Sequence, residues 1–186
     1  MKKLPVRCFF QLLSLTMVSA FLFLGGGCAK DEVNWLEEDV PSIYIEAAAS
    51  TPASAKSRIT MPVSEIQFQV LNSPLVPGGN FLDVNVGYAE VEGVPGPFIL
   101  ARIDDRGARA IRIQAMQARG QRLILVIQDK PVGVIQLSAN MDPQNIFFHP
   151  EIESTDKADF DAKLLELQRN VRSTILKIRE HKEDTK

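Results

Sequence analysis

Cysteine is scarce in this chain, which has only Cys8 and Cys28 among its 186 residues. Both lie near the N-terminus, so a domain formed by the rest of the chain has no thiol for a disulfide or a nucleophile. Histidine is equally scarce: His149 and His181 have no second histidine or cysteine at the spacing of metal ligands. The sequence therefore argues against a disulfide scaffold, a metal centre and a catalytic cysteine, and it predicts no cofactor.

Only one long apolar run occurs, and it lies at the N-terminus. Lys2, Lys3 and Arg7 precede the run Phe9 to Leu24, and small residues follow it. The run is about 16 residues long, whereas a membrane-spanning helix needs ~20. A charged start, an apolar middle and a small-residue exit are typical of a secretory signal.

The segment Leu24-Gly25-Gly26-Gly27-Cys28 resembles the lipobox of bacterial lipoproteins. In that family the cysteine receives lipid, including palmitate, and becomes the mature N-terminus. The resemblance implies that residues 1–27 are a signal peptide and that Cys28 is the lipidation site. It also implies a membrane anchor in the cell envelope, with the protein facing the periplasm; Ala29 after the cysteine favours the outer membrane. The alternatives are a single transmembrane anchor and a cleaved signal that leaves Cys28 as a free thiol.

The mature chain would be mildly acidic. Removing residues 1–27 lowers Lys+Arg from 21 to 18 against 23 Asp+Glu, so the net charge changes from -2 to -5. Nucleic acids and anionic lipid headgroups both favour a basic surface, so this charge argues against either as the main partner. The expected partners are the membrane, through the N-terminal lipid, and envelope or export proteins.

The remaining sequence predicts one domain behind a tether. Residues 28–57 are expected to form a lipidated tether that contains a first strand, and residues 58–182 an α+β globular domain. Residues 183–186 would be a frayed tail. Alternating or apolar runs predict strands at 42–47, 66–71, 81–91, 98–103, 123–127, 131–137 and 145–148.

Two of these strands carry a prediction about their place in the sheet. The run 123–127 is apolar throughout, which indicates a central strand that is buried on both faces. The strand 131–137 contains Pro131 and Gly133, which favour an edge of the sheet or the start of a pairing.

Two helices are predicted. Asp104 or Asp105 would cap a helix over residues 106–119, and Thr155 or Asp156 would cap a C-terminal helix with an apolar face. The two aspartates at 104 and 105 could also act as an acid–base pair, but capping is the commoner role. The element order predicts an α+β fold, a two-layer, mainly antiparallel sheet with two helices packed on one face.

The segment from Phe98 to Val132 resembles the first periplasmic head of SecD, a subunit of the bacterial protein-export machinery. The match consists of the strand 99–103, the helix start at 104–108, the segment 120–127 and a polar turn that leads to Pro131 and Val132. The resemblance implies a strand, a helix and a hairpin in an α+β head, and an accessory role in export. Residues 139–144 lack the glycine-rich segment of that family, and the chain lacks its membrane-spanning bundle.

No motif in the chain names a reaction, because it has neither a nucleophile elbow nor a phosphate-binding loop nor a dinucleotide fingerprint. The leading hypothesis is a non-catalytic, lipid-anchored envelope protein that binds proteins or peptides. The expected surfaces are an open edge at 131–137, with Val132 and Ile135, and a patch formed by Ile113 and Met116. The alternatives are an accessory to protein export or envelope assembly, and an enzyme that acts on an envelope polymer.

Overall fold

The computed structural model describes residues 38–91, 94–117 and 120–184, all within one compact unit, Trp35–Lys186. The predicted signal peptide and Cys28 lie outside the described residues. The helices and longer strands have these bounds: β1 Pro41–Ile45, β2 Lys56–Thr60, β3 Gln67–Leu71, β4 Phe81–Val91, β5 Val94–Ile103, α1 Asp105–Gln117, β6 Arg122–Ile127, β7 Lys130–Gln136, β8 Asn145–Pro150 and α2 Lys157–Asp184.

Six strands form one antiparallel sheet in the order β1-β6-β7-β8-β5-β4. Strand β8 joins its two halves, because Asn145–Phe148 pair with β5 while His149 and Pro150 pair with β7. The predicted α+β fold with a mainly antiparallel sheet is confirmed. The predicted first strand is also present, and it pairs with β6 as part of this sheet.

Strand β6 is buried on both faces, as its unbroken apolar sequence predicts. Leu123, Leu125 and Ile127 belong to the larger apolar cluster, which also contains residues of both helices. Ile124 and Val126 point to the opposite face and belong to a second cluster. Period-2 alternation divides the five side chains between the two layers that cover the sheet.

Both helices begin at the predicted caps. The Asp104 carboxylate accepts the Gly107 N–H at 2.8 Å, and the Asp156 carboxylate accepts the Asp159 N–H at 2.9 Å. Each bond satisfies an amide that the first helical turn leaves free. The residues of α1 that are buried are Gly107, Ala108, Ile111 and Ala115, and those of α2 are Leu164, Val171, Thr174 and Ile175.

A second, two-stranded sheet covers the other face of β6. Strands β2 and β3 pair along their whole length, and Met61, Phe68 and Val70 pack against Ile124 and Val126. Strand β2 is missing from the sequence prediction because Lys56–Thr60 contains a single large apolar residue. The domain therefore has a partial third layer in addition to the two that were predicted.

The prediction that residues 131–137 form an open edge is wrong. Strand β7 pairs with β6 on one side and with β8 on the other, so it lies inside the sheet. Gly133 permits this position, because a Cβ there would lie 2.9 Å from the Cβ of Phe148 and 3.2 Å from the carbonyl oxygen of His149. The glycine therefore marks the close approach of two backbones and not an edge.

Candidate interaction surfaces

The four predicted interaction residues divide into two exposed and two buried side chains. Ile113 and Met116 on α1 are 43% and 66% exposed, and their role in binding stays a prediction. Val132 and Ile135 on β7 are 9% and 4% exposed and belong to the larger apolar cluster. The second pair therefore supports the core and presents no surface to a partner.

The β1 edge of the six-stranded sheet is covered by other parts of the chain. The Ile43 N–H donates to the Val76 carbonyl at 2.9 Å, and the Ile43 carbonyl accepts the N–H groups of Leu75 and Val76 at 2.8 and 3.1 Å. Further along, the Ala47 N–H donates to the Gln69 carbonyl at 2.7 Å. A new strand could not add here without displacing these bonds.

The opposite edge is β4, and its hydrogen bonds show which backbone groups point outward. The Val84 N–H donates to the Asp83 carboxylate at 2.9 Å, so it does not donate to β5. Backbone groups of a strand alternate in direction, and an N–H and a C=O of the same residue point to the same side. Val86, Tyr88 and Glu90 therefore direct their N–H and C=O groups away from β5.

Two prolines in β5 agree with this direction. Tyr88 lies opposite Pro97 and Glu90 lies opposite Pro95. Proline has no N–H to donate, so these two pairs are suited to positions where the facing strands do not exchange hydrogen bonds. Strand β5 accordingly begins at Val94, four residues before the predicted start at Phe98, because its prolines sit where no ladder bond is needed.

Side chains of α2 protect the first half of the β4 edge. The Arg172 Nε and Nη2 donate to the two Asp83 carboxylate oxygens at 2.8 and 3.1 Å, and Nη2 also donates to the Asn85 Oδ1 at 2.5 Å. The Arg179 guanidinium donates to the Leu82 carbonyl. Among the described residues, no comparable bond reaches the outward backbone groups of Val86, Tyr88 and Glu90.

The Asp83–Arg172 pair predicts a pH-dependent stability. Partial burial would raise the pKa of Asp83, but hydrogen bonds from Arg172 and Asn85 outweigh it and hold the pKa below its usual value. The stabilisation is complete above the unfolded pKa of about 3.9 and is lost as the pH falls through the folded pKa. We expect Asp83→Asn to lower the unfolding free energy at pH 7 by about 1 kcal/mol or less.

Urea unfolding of the wild type and Asp83→Asn between neutral and acidic pH would test this pair. The unfolding free energies of the two proteins, plotted against pH, should converge at low pH, where Asp83 is protonated in both the folded and the unfolded wild type. Adding Arg172→Gln to both proteins isolates the pairwise contribution. A constant difference in unfolding free energy down to the lowest pH would show that the pair contributes nothing to the pH dependence of stability.

Two further contacts hold α2 against the sheet and the start of the domain. The Tyr88 hydroxyl donates to the Asp161 carboxylate at 2.5 Å, which raises the pKa of Tyr88. At the other side of α2, Thr174 and Lys177 both donate to the Glu38 carboxylate, and the bond from Lys177 lowers the pKa of Glu38. Helix α2 is thereby tied to both β4 and the segment that precedes β1.

The aspartates at the start of α1 serve separate structural contacts. Asp104 accepts from Gly107 and also from the Asn80 side chain at 2.9 and 3.0 Å, while Asp105 accepts from Gln144 at 2.7 Å. Within the described ranges, no cluster of three or more histidine, cysteine or acidic side chains could hold a metal ion. No helix in the same part of the chain is long and apolar enough to cross a membrane.

No protein-family model matches the chain, and neither does any curated protein. The solved structures that are similar to it include two of SecDF. One, described as a membrane component SecDF that enhances protein export, has 13% sequence identity and a TM-score of 0.47, over 73% of this chain and 63% of that one. The other, SecDF in a super-membrane-facing form, has 13% identity and a TM-score of 0.46, over 73% of this chain and 19% of that one.

The chain therefore spans less than two thirds of the length of either SecDF structure. A likeness at this identity and TM-score supports no conclusion about activity or partners. The strand, helix and hairpin that the SecD resemblance implies are present as β5, α1 and the β6–β7 pair.

Proposed function

We propose that this chain is a non-catalytic, lipid-anchored envelope protein whose domain binds an extended protein segment along the outer edge of β4. The lipid on Cys28 would hold the domain at the periplasmic face of a membrane, preferably the outer one. The support for this anchor is the sequence Leu24 to Cys28, with its charged and apolar approach.

The open half of the β4 edge is the observation that carries the binding role. Val86, Tyr88 and Glu90 direct backbone donors and acceptors outward, and no described residue bonds to them on that side. Proteins usually block such edges, as α2 does over the first half of β4. An extended segment that added here would gain main-chain hydrogen bonds at alternate residues.

A proline at Glu90 tests this edge without breaking the sheet. Glu90→Pro removes an outward N–H but leaves the β4–β5 ladder, because the N–H of Glu90 does not point to β5. Glu90→Gln is the matched control, since it removes the same charge and keeps the N–H. We expect proline to weaken binding about tenfold or more. It removes one backbone hydrogen bond, worth about 1 kcal/mol, and its ring would also clash with the added segment.

The measurement is crosslinking in intact cells of the native host, followed by purification through a C-terminal tag and mass spectrometry. Wild type and Glu90→Gln should recover the same envelope proteins, and Glu90→Pro should lose them. Cys28→Ala should lose those partners that require the anchor. Equal recovery by Glu90→Pro and the wild type would reject the β4 edge as the binding site.

The same experiment addresses the alternative role in protein export. Export components among the partners that depend on Glu90 would support an accessory function in export. Recovery of envelope-assembly proteins instead would support a general binding role. The absence of any partner above background, with Cys28 shown to be lipidated, would favour a polymer-binding or enzymatic role.

A further inference from the structure

A cleft of about 450 Å³ lies between the start of β4 and the C-terminal half of α2. Arg102, Arg172 and Arg179 line it, and Asp83 is its one acidic residue. The local charge is therefore +2, opposite in sign to the net charge of the chain. Cationic side chains gathered around one carboxylate attract an anion more strongly than the composition of the whole chain suggests.

The three guanidinium groups retain hydrogen-bond donors for a ligand. Arg172 donates to Asp83 and Asn85, and Arg179 donates to the Leu82 carbonyl. The Arg102 side chain forms no hydrogen bond or ion pair with any residue that the structure describes. Because each guanidinium carries five N–H groups, most of the donors in this cleft are still available. Arginine binds phosphate oxygens in a bidentate manner, which suits this donor set.

The cleft also exposes apolar side chains beside the arginines. Leu82 is 43% exposed and Leu176 is 56% exposed, while Ile175 between them is buried in the core. Apolar side chains beside arginines allow one surface to contact both the acyl boundary and the headgroups of a membrane. A soluble anion would use the arginines but would leave these leucines in water.

The start of the described chain lies one helix diameter from the cleft. Glu38 is bound by Thr174 and Lys177, which lie on the opposite side of α2 from Arg172 and Leu176, about 10 Å away. Cys28 precedes Glu38 by ten residues, which span at most about 35 Å. A lipid on Cys28 would therefore keep the cleft within reach of the membrane surface.

We infer that this cleft binds the phosphate headgroup of an anionic phospholipid in the membrane that carries the anchor. Arg102 and Arg179 hold the phosphate, Arg172 adds charge while it remains paired with Asp83, and Leu82 and Leu176 contact the acyl boundary. The inference rests on the proposed lipid anchor for the nearness of the membrane. Headgroup binding would orient the domain so that α2 and the start of β4 face the bilayer.

Hydrogen exchange of the full chain in lipid nanodiscs tests this inference. Nanodiscs of phosphatidylcholine alone are compared with nanodiscs that also contain phosphatidylglycerol. We expect phosphatidylglycerol to slow exchange in residues 172–179 and at the start of β4 by about tenfold, if the effective lipid concentration is about ten times Kd. The double variant Arg102→Gln/Arg179→Gln should lose this difference.

A matched control and a second ligand separate the outcomes. Arg58→Gln/Arg109→Gln removes the same charge from exposed positions outside the cleft and should keep the difference. The single variant Arg102→Gln should already reduce this difference without removing any side-chain hydrogen bond or ion pair between described residues. Equal exchange in the two kinds of nanodisc would overturn the inference, and so would a difference that the double variant retains.

Inorganic phosphate added to the phosphatidylcholine nanodiscs distinguishes the source of the anion. If phosphate alone produced the full slowing, the ligand would be a soluble anion and the assignment to lipid would be wrong. The mass of the N-terminal peptide from the same sample tests the anchor separately. An unmodified Cys28 would refute the proposed anchor, while the exchange data would still decide whether the cleft recognises the headgroup.

Discussion

Replacing Ile135 with proline is expected to unfold the domain. The Leu137 N–H donates to the Gln121 carbonyl at 2.7 Å, so by alternation the Ile135 N–H also points to β6, opposite Leu123. Proline removes that donor from a strand that is paired on both sides, and it removes a side chain that is 4% exposed. The lost side chain costs about 2–5 kcal/mol and the unpaired carbonyl about 1–3 kcal/mol.

That sum is comparable to the whole stability of a domain, which is about 5–15 kcal/mol. Circular dichroism and urea unfolding would measure the loss of unfolding free energy. Ile135→Val is the control, because it keeps the N–H and should cost only about 0.5–1.5 kcal/mol. A cooperative transition of Ile135→Pro close to that of the wild type would show that the domain does not depend on the β6–β7 pairing at Ile135.

Replacing Phe148 with alanine is expected to have the second largest effect. Phe148 is 1% exposed, and its ring lies in the larger apolar cluster on the strand that joins the two halves of the sheet. Removing a buried phenylalanine costs about 3–5 kcal/mol, because the transfer free energy is lost and a cavity remains. For a domain of this size, the melting temperature should fall by roughly 6–20 °C.

Phe147→Ala is the matched control, since the neighbouring side chain points to the opposite face. Phe147 is half-buried and meets Phe98 edge to face, with ring centroids 5.3 Å apart. Losing this contact should cost about 0.5–1.5 kcal/mol beyond the smaller loss of buried area. Calorimetry of both variants would measure the difference. Equal destabilisation would contradict the assignment of Phe148 to the core face of β8.

The patterns that predicted elements correctly are all local. The alternation of Ile43 and Ile45 predicted β1, and the apolar run 123–127 predicted a strand buried on both faces. Asp104 and Asp156 predicted both helix starts, because a short acidic side chain satisfies free amides within three residues of itself. In each case the cause and its effect lie within one turn or one strand.

The errors concern features that depend on distant parts of the chain. Gly133 suggested an edge, but the reason for glycine there is the Phe148 side chain on a neighbouring strand. The predicted strand started only at Phe98, although β5 also accepts Pro95 and Pro97 because the partner residues in β4 exchange no bonds at those positions. A residue type can have two physical causes, and only the neighbouring strand distinguishes them.

The candidate surfaces were less predictable than the fold. The sequence singled out Val132 and Ile135, which lie in the core, and did not single out the outward groups of β4. Arg102 and Arg179 are 77 positions apart in the chain, so no spacing rule could join them in one cleft. The mild acidity of the whole chain also concealed this local positive charge.

By itself, the sequence determined the strands with clear alternation, the two capped helices and hence the α+β class of this protein. Backbone propensity, capping and period-2 burial act over a few residues, which is why they can be recognised in one dimension. Only the tertiary structure decided the order of the strands, the interior position of β7, the open half of β4 and the arginine cleft. Each of these depends on which distant segments become neighbours, and that is settled by the packing of the whole core.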